Sequence, residues 1–413
     1  MPKKLLSLML ILGILSCSGC WDKLELEEQA FIMSVCIDQG QHCKYLWTFR
    51  IAIPRKLVGG QGAGGGAAGG EKTTIMVSVE ANTLFDALNL MSTFIDRKAN
   101  LMHTKIVVLG EKVARSGDVP VKALIRYREV RRSVFVLVAK GMARDILLKN
   151  KPGLELNPSK FFESLATNGT FTGLIPKSQL HDFLIDTQSL DREAVVMLVG
   201  LTKGMNQSQI PKTVKDAAPY IAGQVPRAGD TPVEVIGSAV FDGGKMVGTL
   251  TGTENRVYEM ITNSFFRGFK SIPDPQVADN FIALDVRAGA PTSVTARLGP
   301  DGTPAFNVQV ILEADILSIQ SDVDYTSVDK LKTLEKAAAR VIEQEIQKTI
   351  KKTQDLGTDI FGFGSKLREM VPTYPQWVAL NWKAKGYPKA KINVHAKVSI
   401  RRIGLNFNPP VNR

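Results

Sequence analysis

Short apolar runs alternate with amphipathic segments along the first half of the chain, and their periods predict strands interleaved with helices. Strands are expected at 31–38, 43–53, 74–79, 105–109 and 134–138. Helices are expected at 24–29, 83–96, 118–132 and 142–149, with two more opening near Asn157-Pro158 and after Ile175-Pro176. This alternation indicates a mixed α/β layer structure.

The pattern changes after a polar stretch rich in Gly, Pro, Gln and Lys, which predicts a linker. A strand hairpin at 233–241 and 245–250 follows, then a helix from Thr253 and strands at 280–287, 292–298, 305–318 and 391–401. The sequence thus predicts an α+β, multi-domain chain with mixed sheets and packed helices. Its parts are a signal peptide at 1–19, an N-terminal α/β domain at 20–201, a linker at 202–231 and a strand-rich C-terminal domain at 232–408.

One long helix is expected at 327–354 in the C-terminal domain. Its apolar positions recur at helical spacing, and they are Val328, Leu331, Leu334, Ala338, Val341 and Ile350. The stripe broadens at Ala337, Ile342 and Ile346, which favours a helix that covers a sheet over a coiled-coil partner helix.

The glycine-rich segment 59–70 has the composition of a flexible loop. A phosphate-binding loop requires Gly-Lys-Ser/Thr, and here Glu71 separates Gly70 from Lys72. The segment therefore does not indicate nucleotide binding.

The first residues have the form of an export signal. Lys3 and Lys4 precede an apolar run at 5–15, and small residues follow. The run is shorter than the roughly 20 apolar residues of a spanning helix. The signal ends at cysteine, as it does in bacterial lipoproteins, where diacylglycerol on the thiol anchors the mature chain.

Two cysteines compete for this lipid. Cys20 follows Ser18 and Gly19 but has Cys17 where an aliphatic residue is usual. Cys17 has the aliphatic residue at the third position before it, but the bulky Leu15 stands where a small one is usual. These patterns alone leave the two sites nearly equal.

The formal net charge of +12 favours a surface near anionic lipid headgroups, although a solvated basic surface without a partner explains it equally well. Nucleic acid is not an expected partner, because no recognition motif accompanies the charge in an exported chain. The densest basic cluster comprises Arg126, Arg128, Arg131 and Arg132.

Cys36 and Cys43 flank a predicted turn, and a two-residue loop at Gln39-Gly40 would place them opposite each other. An oxidising location would then permit a disulfide, which the sequence leaves open. The four histidines are scattered and no Cys-x-x-Cys follows the signal, so no metal site is expected.

Catalytic signatures are missing from the sequence. Gly-x-Ser-x-Gly, His-Glu-x-x-His and the EF-hand loop do not occur. Gly169 and Gly173 have the spacing of a nucleophile elbow, but Phe171 between them offers no nucleophile. No enzyme activity and no cofactor are therefore expected.

An ordered series of motifs runs through the chain. It comprises Gly19-Cys20-Trp21-Asp22, Ile37-Asp38, Glu80-Ala81, His103-Thr104-Lys105, Gly110-Glu111, Arg126 to Arg131, Gly237 to Phe241, Lys245 to Leu250, Glu254, Asp359 to Gly364, and Trp382. In this order they resemble the Ger(x)C spore germination lipoproteins, the C subunits of nutrient germinant receptors, from Gly19 to about Arg402.

The resemblance implies lipid on Cys20, because the family's lipid is carried by the cysteine before Trp. It also implies a non-enzymatic subunit that lies on the outer face of the cytoplasmic (spore inner) membrane. Its partners would be integral-membrane germinant receptor subunits and membrane lipid. The family's architecture is mixed α/β and is described as three domains.

Two other classes remain as alternatives. A solute-binding lipoprotein of a transporter would have two similar α/β lobes, whereas the second part of this chain is strand-rich. A cell-wall enzyme would need a catalytic constellation that the sequence does not show.

Overall fold

The computed structural model describes residues 25–53, 73–155, 157–169, 171–202, 218–229, 231–300 and 302–404. Within these ranges the strands form two sheets, one of nine strands and one of four, with helices packed against them. The mixed-sheet α+β class is therefore confirmed. The predicted signal peptide, Cys20 and the glycine-rich loop lie outside the described residues.

The larger sheet is built from β1 (Gln29–Gln39), β2 (Tyr45–Ala52), β3 (Thr74–Ala81), β4 (Lys98–Asn100), β5 (Ile106–Gly110), β6 (Phe135–Ala139), β7 (Val195–Leu201), β8 (Val233–Asp242) and β9 (Lys245–Leu250). Its order is β3-β2-β1-β5-β6-β7-β8-β9, and the short β4 pairs with β1. Strands β1, β5, β6 and β7 are parallel, while antiparallel pairs extend both edges.

Helices cover both faces of this sheet. They are α1 (Leu84–Met91), α2 (Glu111–Ser116), α3 (Val121–Arg126), α4 (Ala143–Lys149), α5 (Pro158–Gly169) and α6 (Leu180–Gln188). Strand residues such as Val35 and Ile37 pack with α1, α2, α3 and α6 on one face. The alternate residue Cys36 packs with α4 and α5 on the other, because successive strand side chains point to opposite faces.

The smaller sheet has the order β10-β11-β12-β13. Its strands are β10 (Arg267–Pro273), β11 (Phe281–Leu298), β12 (Pro304–Ile319) and β13 (Lys391–Arg402). The helices of this part are α7 (Gly252–Ile261), α8 (Val328–Asp355), α9 (Phe363–Arg368) and α10 (Tyr374–Leu380). Strands β12 and β13 are parallel, and the other neighbours are antiparallel.

Helix α8 covers the smaller sheet, as its apolar stripe predicted. Leu334, Ala338, Ile342, Ile346 and Ile350 are buried in one core with residues of β11, β12 and β13. Val328, at the start of the stripe, remains 64% exposed, and the packed face begins with the partly buried Leu331.

The hairpin at 233–250 belongs to the larger sheet, although it was expected to open the C-terminal domain. Val195 pairs with Val240 and Leu201 with Val233, so β8 lies directly against β7. Eight of the ten β8 residues are buried. Because this burial depends on its neighbours in the larger sheet, β8 joins that sheet despite the polar stretch that precedes it. The 202–231 stretch does not separate the two sheets, and the division into domains stays a prediction.

The helix expected at 118–132 is wrong in its second half. Helix α3 ends at Arg126, because Tyr127 adopts an extended conformation with ψ of 120°. The residues that follow form turns up to β6. Similarly, α1 ends at Met91, shorter than expected, with the Thr83 hydroxyl accepting from the Asp86 N–H as the predicted cap.

Among the described residues, none of the helices is both long and apolar enough to cross a membrane.

Candidate functional sites: the junction between the sheets and the start of the parallel strands

The segment from Asp359 to Gly364 and the distant Trp382 meet in one buried arrangement. Asp359 Oδ1 accepts hydrogen bonds from the backbone N–H groups of Gly362 and Phe363, at 2.9 and 3.1 Å. Its Oδ2 accepts from Gly364 N–H at 2.7 Å and from the Trp382 indole N–H at 2.9 Å. One fully buried carboxylate thereby caps α9 and fixes an indole ring.

Two glycines are required by this geometry. Gly362 has φ of 77°, in the left-handed region that glycine adopts without steric cost. A Cβ on Gly364 would lie 2.4 Å from Trp382 Nε1 and 2.5 Å from the Asp191 carbonyl oxygen. The motif's glycines therefore permit close approach, and the motif functions as a structural joint.

The segment before β7 connects this joint to the larger sheet. Glu193 N–H donates to the Asp359 carbonyl at 3.0 Å, and Lys383 Nζ lies 2.7 Å from Glu193 Oε1. At the surface, Arg368 Nη1 lies 3.2 Å from Asp191 Oδ2. Side chains next to Trp382 and on α9 thus bind the residues that lead into β7.

The two carboxyl groups of the joint have altered acidity. Burial raises the pKa of Asp359 to about 6, although its four donors oppose this shift. Burial also raises the pKa of Glu193 to about 7, against the effect of Lys383. In both cases desolvation of the charged form outweighs its hydrogen bonds and ion pair.

A cavity of about 430 Å³ opens beside the joint, between α6, α7 and the loop that follows α8. Its lining includes Asp182, Asp186, Arg192, Glu193, Tyr258 and Phe361. Arg192 Nε lies 2.6 Å from Asp186 Oδ1, so two of the charged groups of the wall form an ion pair. Among the described residues, no group of His, Cys, Asp and Glu could hold a metal ion. The expected lack of a metal or cofactor stays a prediction.

Other motif residues bind backbone groups at turns and helix ends. Asp38 accepts from the N–H groups of Ala143 and Arg144 at 2.8 and 2.9 Å, and so caps α4. Glu80 accepts from three consecutive backbone N–H groups, at 41–43, in the β1–β2 turn. Glu254 forms a capping box with Thr251 at the start of α7. These three motif residues therefore fix a turn and two helix ends.

The register predicted for Cys36 and Cys43 is wrong. Thr48 lies opposite Cys36, and the strands are joined by a loop at 40–44 that contains Cys43. Both thiols are free, and Cys36 is buried with its Sγ 3.4 Å from the Ala143 carbonyl oxygen. The five-residue loop removes the cross-strand geometry on which a disulfide depended.

The predicted basic cluster lies where parallel strands begin. Arg128, Arg131 and Arg132 are exposed in the turns that lead into β6, and Arg126 ends α3. The segment proposed to carry the lipid leads into β1 at this same end of the sheet, because β1, β5 and β6 are parallel. Cys20 itself lies outside the described residues.

Comparison with known proteins identifies the class. A family model described as "Spore germination protein N-terminal domain" matches residues 22–201, and one described as "Spore germination B3/ GerAC like, C-terminal" matches residues 236–404. The chain belongs to the Ger(x)C family of spore germination proteins, as its ordered motifs indicated.

Individual relatives extend over nearly the whole chain. Spore germination protein KC of Bacillus subtilis (strain 168) is 27% identical over 418 residues, covering 98% of this chain and 97% of the relative. Spore germination protein B3 of the same organism is 23% identical, covering 89% and 90%. The crystal structure of the GerBC protein, at 16% identity and a TM-score of 0.52, covers 89% of this chain and 96% of that one and has the same fold.

Sequence patterns did not identify Asp191, Glu193 or Lys383 as parts of the joint. Asp191 and Glu193 lie in the other half of the chain from Asp359, and single charged residues such as these and Lys383 give no local signal. The apolar run at 195–201, which forms β7, is the sequence signal that could have indicated Asp191 and Glu193 just before it.

Proposed function

We propose that the chain is a lipid-anchored subunit of a spore nutrient germinant receptor and acts without catalysis. Membership of the Ger(x)C family over both halves of the chain carries this proposal. The named relatives are spore germination proteins. Its role would be to help convert nutrient binding by the receptor into germination, together with integral-membrane partner subunits.

The anchor in this proposal is diacylglycerol on Cys20, which places the mature chain on the outer face of the cytoplasmic (spore inner) membrane. Support comes from the charged and apolar leader at 1–19 and from Ser18-Gly19 before the cysteine. Two or more acyl chains make such an anchor stable, since each buried methylene contributes about 0.8 kcal/mol.

The solute-binding alternative receives less support from the fold. A solute binder of that kind would present two similar lobes around its ligand. Here the two sheets differ in strand number, order and direction.

Germination of spores that carry Cys20→Ala, beside Cys17→Ala and the unchanged chain, tests the proposal. Across a panel of amino acids and sugars, Cys20→Ala is expected to abolish at least one nutrient response. Triggering by calcium dipicolinate should persist in the same spores. Cys17→Ala should retain the nutrient response, because it leaves the acylated thiol in place.

Two outcomes would contradict parts of the proposal. Loss with Cys17→Ala alone would move the lipid to Cys17. Unchanged responses with both variants, together with unchanged responses after deletion of the whole chain, would contradict the receptor role.

A further inference from the structure

One end of the larger sheet gathers the residues that precede three parallel strands. Ser34 of β1 pairs with Ile106 of β5, and Ile106 pairs with Phe135 of β6. Parallel strands begin at the same edge, so the segments at 25–28, 94–105 and 127–134 lie together there. Strand β4 adds to this edge by pairing with the first residues of β1.

Direct contacts join these segments into one surface. Leu101 N–H donates to Glu129 Oε2 at 3.0 Å, which connects the loop before β5 to the turns before β6. The Phe31 and His103 rings meet edge to face, with centroids 5.1 Å apart. The Asn100 side chain also bonds that of Gln29. The start of β1 and the two loop segments are therefore held in a fixed arrangement.

Basic and apolar side chains are both exposed on this surface. The exposed cations are Lys98, Arg128, Arg131 and Arg132. The exposed apolar residues are Leu26 at 72%, Phe94 at 54% and Met102 at 47%. Acidic residues also occur there, namely Glu25, Glu27, Glu28, Asp96 and Glu129. The positive charge is therefore concentrated in the turns before β6, where Arg128, Arg131 and Arg132 accompany a single carboxylate, that of Glu129, which accepts from a backbone N–H.

Chain length places this surface next to the proposed anchor. Glu25 follows Cys20 by five positions, and a fully extended chain of that length spans at most about 17 Å. An acylated Cys20 in the bilayer would keep the start of β1 close to the headgroups. The same tether allows the basic and apolar side chains around it to reach them.

We propose that this surface lies on the bilayer, with the four cations against anionic headgroups and Leu26, Phe94 and Met102 in the interface. The inference rests on the lipid anchor of the proposed function and adds an orientation to it. Basic side chains near an anionic membrane each contribute favourably to binding, and large apolar side chains enter the headgroup boundary beside them. The larger sheet would then stand with the starts of its parallel strands toward the lipid.

Other exposed aromatic groups do not share this combination. Phe171, Phe266 and Phe269 are exposed near the β10 edge of the smaller sheet. Neither the proposed tether nor the densest cationic cluster is next to them in the chain. The proposed tether and the cationic cluster are both next to the start of β1, so the membrane contact is assigned to that end of the larger sheet.

Vesicle binding by the mature chain without its lipid tests the surface separately from the anchor. The chain is produced from residue 20 with Cys20→Ser, and is mixed with vesicles of phosphatidylcholine or of equal phosphatidylcholine and phosphatidylglycerol. Binding is expected with the anionic vesicles and not with the neutral ones. R128E/R131E/R132E should lower the partition coefficient by roughly 100-fold or more.

A matched variant controls for net charge. K332E/K336E/R340E changes three exposed cations on α8 by the same amount and should leave binding unchanged. Charges remote from the contact are screened within about 8 Å at physiological ionic strength. F94S/M102S, which keeps the charge constant, should also weaken binding to anionic vesicles.

The milder R128Q/R131Q/R132Q keeps the test valid if the glutamate variant fails to fold, as monitored by circular dichroism. Equal effects of the arginine variant and the α8 variant would overturn the proposal. So would equal binding to neutral and anionic vesicles, or no binding at all. Acyl labelling of Cys20 in cells is independent of these results, so a failed anchor and a failed surface are distinguishable.

Discussion

Asp359 and Trp382 are joined by a buried hydrogen bond, in which the indole N–H donates to the carboxylate Oδ2 at 2.9 Å. The bond connects the loop after α8 to the aromatic core of the smaller sheet, where the Trp382 ring lies 5.7 Å from that of Phe306. The Asp359 backbone carbonyl simultaneously accepts from Glu193, next to β7. A single residue therefore bonds to both halves of the molecule.

Replacement of Trp382 by Phe removes that donor and leaves Oδ2 of the buried Asp359 carboxylate with one hydrogen bond fewer. We expect Trp382→Phe to lower the free energy of unfolding by about 1–3 kcal/mol more than Trp377→Phe. Trp377 is equally buried and its ring packs 6.4 Å from that of Trp382, so its replacement controls for lost ring area. Urea unfolding measures both, and equal losses would show that the hydrogen bond contributes nothing.

Gly364→Ala should be strongly destabilising, because the new methyl group would overlap the Asp191 carbonyl and the indole nitrogen of Trp382. A loss of about 2–4 kcal/mol is expected from such overpacking of fixed groups. Gly153→Ala is the control, since a Cβ there meets no heavy atom within 4 Å. Thermal unfolding of the two variants should differ clearly, and a Gly364→Ala protein as stable as its control would contradict the described joint.

Glu259 on α7 gives the chain a component of stability that falls as pH rises. Burial raises its pKa to about 8 from 4.5, and its Oε2 has no hydrogen-bond partner among the described residues. Between these values the folded state retains the proton and the unfolded state has lost it. Folding therefore binds a proton in this window and becomes less favourable at higher pH.

Glu259→Gln should remove this component. Relative to the unchanged chain, the variant should gain roughly 3 kcal/mol between pH 5 and pH 8, since one pKa unit corresponds to about 1.4 kcal/mol. Any packing cost of the amide is the same at both values and cancels in the comparison. Denaturant unfolding at a series of pH values measures the difference, and a difference that stays constant with pH would exclude the proposed origin.

The two thiols after the signal should differ in reactivity. Cys36 is fully buried and its burial raises the pKa of the thiol, which disfavours the reactive thiolate. Cys43 lies partly exposed in the β1–β2 loop. In the mature chain with Cys20→Ser, iodoacetamide should modify Cys43 in the native protein and Cys36 only in denaturant. Mass spectrometry distinguishes this result from a disulfide, which would protect both thiols.

Local sequence patterns predicted the elements in which the spacing of apolar residues matches the positions that are buried. The β1 strand and the α8 stripe were predicted because a short apolar run and helical spacing are both properties of short sequence windows. Strands β7 and β10 were not anticipated, and neither was the pairing of β8 with β7, which is set by sheet contacts far apart in sequence.

The joint was predictable only in part. The motif resemblance pointed to Asp359 and Trp382, but composition and spacing could not show that one bonds the other. Glu193 and Lys383 could not be predicted from the sequence, because an isolated ion pair produces no periodic pattern. Cys36 was assigned the wrong neighbour because the turn contains five residues, and a change of turn length shifts every cross-strand pair.

The continuity of β7 with β8 has a consequence for the C-terminal half as a separate fragment. A chain that started at residue 236 would begin inside β8 and expose the backbone N–H and C=O groups that β7 normally binds. An uncovered apolar strand of this kind is a template for self-association. Isolated, this half is expected to aggregate, whereas co-expression with the preceding residues would allow the two pieces to complete one another by strand addition.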